Sequence, residues 1–238
     1  MKEKLTVVIL GAGSGTRFGS NLPKIFVKIN GKPLLWYSLY SFQNVEEVEN
    51  IYVVVSPDRL EYARTLQKKF FKKITKFRGF ITGGKTRFDS VLNALKIIQM
   101  EEECNFVAIH DAARPFIKPE LINKIFTEAI KVGASSCGIS VVDTIKSLDE
   151  KGFIHSHLKR EHLVSIQTPQ IFNFQKLIKS YQIAKKKEIA FTDDTEVYSL
   201  VDKKISIIEG DNDLTKITYK EDLKTAKEIL KRNRNLWR

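Results

Sequence analysis

A chain of 238 residues with 42% hydrophobic side chains can bury a full core, which excludes a disordered segment or a small disulfide-stapled module. Forty Lys and Arg against 28 Asp and Glu leave a formal charge of +12, pointing to anionic partners: nucleic acid, an acidic membrane or phosphorylated small molecules. Cys104 and Cys137 show neither C-x-x-C spacing nor a metal pattern, so reduced thiols and a cytoplasmic location are expected, and no apolar run approaches membrane-spanning length.

The opening M-K-E-K-L-T-V-V-I-L-G-A-G mimics a signal peptide, but its apolar run, Leu5–Leu10, is too short and reads as a first strand. Ile51–Val55 and Val107–Ile109 are similar compact runs rich in β-branched residues, as parallel strands buried on both faces should be. Phe88, Val91, Leu92, Leu95 and Ile98 form an apolar stripe at helical spacing. Leu121, Ile122, Ile125, Phe126, Ala129 and Ile130 form another, opened by Pro119 and closed by Gly133. Thr218 to Glu221, T-Y-K-E, reads as a capping box that opens a last helix with Leu223, Ala226 and Leu230 inward. The tail from Lys231 to Arg238 is expected to fray. This alternation predicts a doubly wound, mostly parallel α/β sheet, one domain over 1–238, with ligands beyond the carboxyl ends of the strands. Lys124, Lys131, Lys185 to Lys187 and Lys231 to Arg234 read as solvated helix faces, and no recognition motif supports nucleic-acid binding.

Residues 139–165 break the rhythm, with two strand-like runs around the turn residues Asp149 to Gly152. A lone hairpin is marginal in water. It either lies on the main sheet or projects and is buried by a second subunit; the residues alone leave both open.

Directly after the first strand comes G-A-G-S-G-T-R-F-G, Gly11 to Gly19, then L-P-K at Leu22 to Lys24. A glycine-rich turn here lets backbone N–H groups close around phosphate oxygens. The dinucleotide fingerprint G-x-G-x-x-G fails in both registers, because Thr16 and Phe18 stand where its last glycine belongs. Arg17 and Lys24 follow the loop instead, as transfer at a nucleotide phosphate requires, since fixed cations stabilise the charge that develops there. A decoy lies at Gly79 to Thr86, G-F-I-T-G-G-K-T, which satisfies the P-loop pattern. The most strand-like residues, Phe80 to Thr82, fall inside that supposed loop, so a strand, a turn at Gly83–Gly84 and a helix beginning near Arg87 and Ser90 are expected. A P-loop NTPase is the remote alternative, and dispensability of Lys85 would count against it.

The loop and L-P-K, taken with G-G-K-T-R-F-D-S-V (83–91), H-D-A-A-R-P-F (110–116), D-T-I-K (143–146), Q-T-P-Q-I-F (167–172), T-D-D (192–194) and D-L-T-K-I-T (213–218), resemble the 2-C-methyl-D-erythritol 4-phosphate cytidylyltransferases in order and over nearly the whole chain. The resemblance implies a Rossmann-like nucleotidyltransferase sheet, transfer of CMP from CTP to methylerythritol phosphate, pyrophosphate release and Mg²⁺. It places Ala12, Gly13 and Gly15 along the CTP phosphates, Gly84 and Ser90 at the cytosine, and Arg87 and Ala112 in the nucleotide pocket. Arg17, Lys24, Arg160 and Lys216 become the catalytic cations. Asp111, Arg114, Thr144 and Thr168 face the polyol phosphate, with Asp111 also the magnesium ligand. It further implies a homodimer in which the 139–165 arm completes the neighbour's site. His110 is left a structural role. Four positions depart from the family: Gly11 for alanine, a harmless exchange, Ile25 for glutamine, and Leu214–Thr215 for an asparagine–isoleucine pair before Lys216. A ribitol 5-phosphate cytidylyltransferase is the near alternative; Ala113, Lys146 and the T-D-D string favour the methylerythritol enzyme.

Overall fold

The structure, a computed structural model, describes residues 3–13, 15–19, 22–101, 103–187 and 191–237. The chain runs β1 (Leu5–Leu10), a short ribbon of β2 (Lys28–Ile29) and β3 (Lys32–Pro33), α1 (Leu34–Gln43), β4 (Val48–Val55), α2 (Leu60–Phe70), β5 (Phe77–Thr82) and α3 (Arg87–Glu101). It continues through β6 (Phe106–Asp111), α4 (Pro119–Val132), β7 (Ala134–Ser140), β8 (Lys146–Leu148), β9 (Ile154–His157), β10 (Val164–Ile166) and β11 (Gln170–Asn173). Last come α5 (Phe174–Lys187), α6 (Asp194–Tyr198), β12 (Ser206–Glu209) and α7 (Asp222–Arg232).

The main sheet has the order β10-β7-β11-β6-β1-β4-β5, with β12 on β7. Strands β5, β4, β1 and β6 are mutually parallel, β11 is antiparallel to both β6 and β7, and β12 is parallel to β7. Alternation along the strands sends Val7 and Ile9 to one face, where α1, α2, α4 and α7 pack, and Val8 to the other, where α3, α5 and α6 pack. Each central strand is therefore covered on both faces, which is why its sequence is continuously apolar. β8 and β9 form a separate two-stranded sheet off this main one. Among the described residues no helix is long and apolar enough to cross a membrane.

Local chemistry corrects three expectations. The last helix begins at Asp222, not at a Thr218 capping box: the Asp222 carboxylate captures the N–H groups of Thr218 at 2.6 Å and Tyr219 at 2.8 Å. A reciprocal box does open α3, where Thr86 N–H donates to Asp89 Oδ2 and Asp89 N–H donates to Thr86 Oγ1, both at 3.1 Å. Gly133 ends α4 in the left-handed region (φ 96°), as a helix-terminating glycine should, but Ile130 lies outside the stripe at 44% exposed. The tail does not fray as described: Trp237 is only 7% exposed and its Nε1 donates to Ser41 Oγ at 2.9 Å. Arg238 lies outside the described residues.

Candidate active site

At the carboxyl ends of β1, β5 and β6 a cleft of about 470 Å³ is lined by Gly11 to Gly13, Gly15, Arg17, Lys24, Ile25, Gly84 to Arg87, Ser90, Asp111, Ala113, Lys216 and Thr218 among others. The loop after β1 turns at Gly15 (φ 65°), and Phe18 anchors it by donating its N–H to Gly15 O at 2.8 Å while its ring is buried. Lys24 opens a single 3₁₀ turn whose next residues, Ile25 and Phe26, are buried, so the apolar pair fixes the turn and leaves the ammonium on the cleft side. Gly11 is no neutral exchange. A Cβ there would meet Ile25 Cδ1 at 2.7 Å and Val54 O at 3.0 Å, so two departures from the family pattern are complementary in shape.

On the opposite wall the Gly83–Gly84 turn follows β5, and the strand extends through the residues the P-loop would need as loop. A Cβ on Gly84 would lie 2.2 Å from Asp89 Cβ and 3.2 Å from Asp89 Cα, so glycine is required for the turn to pack on α3. Ser90 Oγ accepts from Gly84 N–H at 3.1 Å and donates to Thr86 O at 2.9 Å, holding the turn shut. Lys85 and Thr86 also line the cleft, which the string alone did not indicate; replacing Lys85 is therefore no clean separator from a P-loop enzyme.

Asp111 ends β6. Lys216 Nζ donates to its Oδ2 at 2.6 Å and Arg87 Nη2 lies 3.9 Å from its Oδ1. Burial would push this carboxyl up, but Lys216 and Arg87 overcome burial and hold it below the usual range. Lys216 reaches it because Leu214 and Ile217 are fully buried anchors and Ile217 N–H donates to Ala113 O at 2.8 Å, so Leu214 and Thr215 leave its register intact. Lys24 is lowered first by burial, then by the neighbouring charges of Lys216 and Arg17, so three cations crowd one wall of the cleft. No group of three or more His, Cys, Asp and Glu comes together among the described residues.

Other expected residues sit behind or outside the cleft. Ala112 is fully buried, with its N–H on Leu10 O at 3.0 Å, and Ala113 presents the lining in its place. Thr168 Oγ1 accepts from Asp111 N–H at 3.0 Å and meets His110 Nδ1 at 3.2 Å, so it props the strand end. His110 is fully buried, its Nε2 on Arg114 O at 3.0 Å; burial above all lowers its pKa to about 4, which fits a neutral structural ring. Arg114 donates to Leu214 O at 2.9 Å and Ile166 O at 3.4 Å, and its Nε is buried without a partner among the described residues. Thr144 and Arg160 are exposed on the arm, where Arg160 Nη1 donates to Val142 O at 2.8 Å.

The sequence pattern of the IspD family, 2-C-methyl-D-erythritol 4-phosphate cytidylyltransferase, matches residues 5–232. The chain is 38% identical over 230 residues to the 2-C-methyl-D-erythritol 4-phosphate cytidylyltransferase of Clostridium novyi, covering 96% of this chain and 97% of that one. Its identity to the Clostridium tetani protein of the same name is 36% over 235 residues, covering 98% and 93%. The crystal structure of 4-diphosphocytidyl-2C-methyl-D-erythritol synthase from Anaerococcus prevotii matches with a TM-score of 0.83 at 26% identity, over 96% of each chain. The bifunctional IspDF of Campylobacter jejuni matches with a TM-score of 0.75 at 27% identity, over 93% of this chain and 54% of that one. With a cation-lined cleft at the strand ends and this agreement along its length, the chain belongs to the IspD family of 2-C-methyl-D-erythritol 4-phosphate cytidylyltransferases, which are nucleotidyltransferase enzymes.

Proposed function

We propose that this protein transfers CMP from CTP to 2-C-methyl-D-erythritol 4-phosphate, releasing pyrophosphate, in the cytoplasmic synthesis of isoprenoid precursors. The observation that carries the reading is the convergence of the glycine loop, Arg17, Lys24, Lys216 and the carboxylate Asp111 on one cleft. An oxygen of the substrate phosphate attacks the α-phosphorus of CTP in line. The new P–O bond forms as the bond to the bridging oxygen of the β-phosphate breaks, and pyrophosphate leaves with that electron pair. A phosphate monoester has a second pKa of about 6, so the nucleophile is already anionic and the site needs no general base.

Main-chain groups of Ala12, Gly13 and Gly15 hold the triphosphate, while Gly84 and Ser90 bound the base. Arg17 and Lys24 stabilise charge growing on the α-phosphate, and Lys216 orients the incoming phosphate. Asp111, an ionised carboxylate at the end of β6, is the residue that would hold a magnesium ion, and the ion when bound would supply further charge neutralisation.

The arm leaves Val142, Leu148, Phe153, Ile154, Leu158 and Val164 exposed, which supports a homodimer that covers them. In that arrangement Thr144 and Arg160 serve the neighbouring subunit's cleft. The decisive assay is pyrophosphate release from CTP and Mg²⁺ with methylerythritol 4-phosphate, beside ribitol 5-phosphate and an ATP control. Release with the first alone supports the proposal. Release with ribitol phosphate keeps the mechanism and changes the substrate, and release with neither overturns the reading.

A further inference from the structure

The T-D-D string contributes no side chain to the cleft lining, yet its last residue is tied to it. Asp194 is fully buried and accepts Arg87 Nη1 at 3.0 Å, Arg87 Nη2 at 2.5 Å and Tyr181 Oη at 2.5 Å. Arg87 is the first residue of α3, lines the cleft and faces Asp111 Oδ1 across 3.9 Å. One guanidinium therefore spans a buried carboxylate on α6 and the cleft carboxylate on β6. The two ties are unequal: the fork to Asp194 is a close, bidentate pair, and the approach to Asp111 is long.

The backing of Asp194 is rigid. Asp193 caps α6 by accepting Glu196 N–H at 3.0 Å, and it is gripped by Gln170 Nε2 at 2.8 Å. Tyr181 is 1% exposed and its ring stacks on Phe88, centroids 4.7 Å apart, next in sequence to Arg87. In a close-packed interior neither the carboxylate nor the phenol can follow a displaced guanidinium. An isolated buried carboxylate is costly, so Arg87 and Asp194 fix each other.

We propose that Asp194, backed by Tyr181, is a positioning residue that pins the Arg87 guanidinium on the cleft wall so that it meets the nucleotide and does not collapse onto Asp111. The proposal rests on the reading of this cleft as a CTP site. Without the fork, Arg87 is free to close the gap to Asp111, competing with Lys216 for the carboxylate and narrowing the space for the triphosphate.

The test is a double-mutant cycle read by calorimetric CTP binding with Mg²⁺ and by steady-state pyrophosphate release, on Asp194→Asn, Arg87→Ala, the double variant and Tyr181→Phe. Asp194→Asn and Arg87→Ala should each weaken CTP binding about tenfold, the size of one charged hydrogen bond. The double variant should be no weaker than the poorer single, because Asp194 acts through Arg87. KM for CTP should rise by that factor with kcat held within about threefold, a split that mere loss of folded protein does not produce. Tyr181→Phe, which keeps the fork, should weaken CTP about twofold to threefold. Effects that multiply in the double variant, or a lowered Tm with unchanged CTP affinity, overturn the proposal. If Asp194→Asn does not fold, Tyr181→Phe decides, and unchanged CTP affinity there overturns it. Failure of the wild type to bind CTP would instead sink the functional reading and this proposal with it.

Discussion

Lys216 Nζ donates to Asp111 Oδ2 at 2.6 Å, closing a loop of 105 residues across the mouth of the cleft. The pair fixes the Lys216 ammonium at the end of β6, on the same cleft that Lys24 and Arg17 line. Lys24 is depressed by burial first and then by Lys216 and Arg17, so it holds its proton less tightly than a free lysine. A bound polyphosphate reverses that balance.

Lys24→Ala should therefore cut turnover by about 10²–10³, the cost of one preorganised transition-state donor, while CTP affinity falls less than about tenfold. Activity needs the protonated ammonium, present below its pKa. The alkaline limb of kcat/KM, which reports the free enzyme, should fall below the value of about 10.4 for a free lysine. Arg17→Gln removes one depressing neighbour and should move that limb upward. Turnover of Lys24→Ala near wild type would remove Lys24 from the mechanism.

His110 gives a stability signature of definite sign. Its folded pKa is lowered to about 4, burial being the main cause, from an ordinary value of 6.5. A neutral ring favoured in the fold contributes fully above the unfolded value and loses that contribution as pH falls from 6.5 toward 4. In that window the unfolded chain takes up a proton that the fold refuses. The urea midpoint should drop there with a slope of up to about 1.4 kcal/mol per pH unit from this group. His110→Asn should be weaker at pH 7 and show a flatter profile through the window. An unchanged profile would mean the ring is not the source.

The parallel strands are legible because buried parallel strands are continuously apolar, and the turn after β1 because its left-handed Gly15 favours glycine. Leu5–Leu10 matches its strand to the residue. What stayed hidden depends on contacts between distant positions. Arg87 and Asp194 stand 107 residues apart, and no spacing rule links them. α7 starts at Asp222 and not at Thr218 because a carboxylate four residues on captures Thr218 N–H, outcompeting the expected box. The burial of Trp237 leaves no trace in the sequence, because one aromatic after a polar run has no period to reveal its face.

Gly11 and Ile25 should behave as a pair. Adding a methyl at Gly11 drives a Cβ to 2.7 Å from Ile25 Cδ1, an overpacking expected to cost about 1–3 kcal/mol. Ile25→Val deletes that Cδ1 at a cost of about 0.5–1.5 kcal/mol alone. Chemical denaturation of the two single variants and the double should show the double less destabilised than the sum. Simple additivity would mean that Val54 O, at 3.0 Å, and not Ile25 sets the limit.

The arm exposes Phe153 at 68% and Val142 at 80%, more than a monomer usually leaves on one small hairpin. Sedimentation equilibrium should find a dimer for the wild type and a shift toward monomer for Phe153→Asp paired with Val142→Asp. Activity should fall in step with the dimer fraction as the protein is diluted. A wild type that stays monomeric at high concentration would remove the shared-site arrangement and leave Thr144 and Arg160 without a role.

Trp237 closes the core from the far end of the chain. Its ring lies 5.5 Å from Phe116 and 6.3 Å from Tyr37, and its Nε1 reaches Ser41 Oγ on α1. Tyr37 in turn donates to Ile29 O at 2.7 Å in the ribbon that follows the Lys24 turn. Removing the indole leaves a cavity among α1, α7 and that ribbon, so Trp237→Ala should cost about 3–5 kcal/mol. Trp237→Phe keeps most of the volume but strands Ser41 Oγ, and should cost about 1–2 kcal/mol. Thermal unfolding should rank the three proteins in that order, and truncation after Arg232 should be no more stable than Trp237→Ala. A truncated chain as stable as wild type would show that the tail adds nothing to the core.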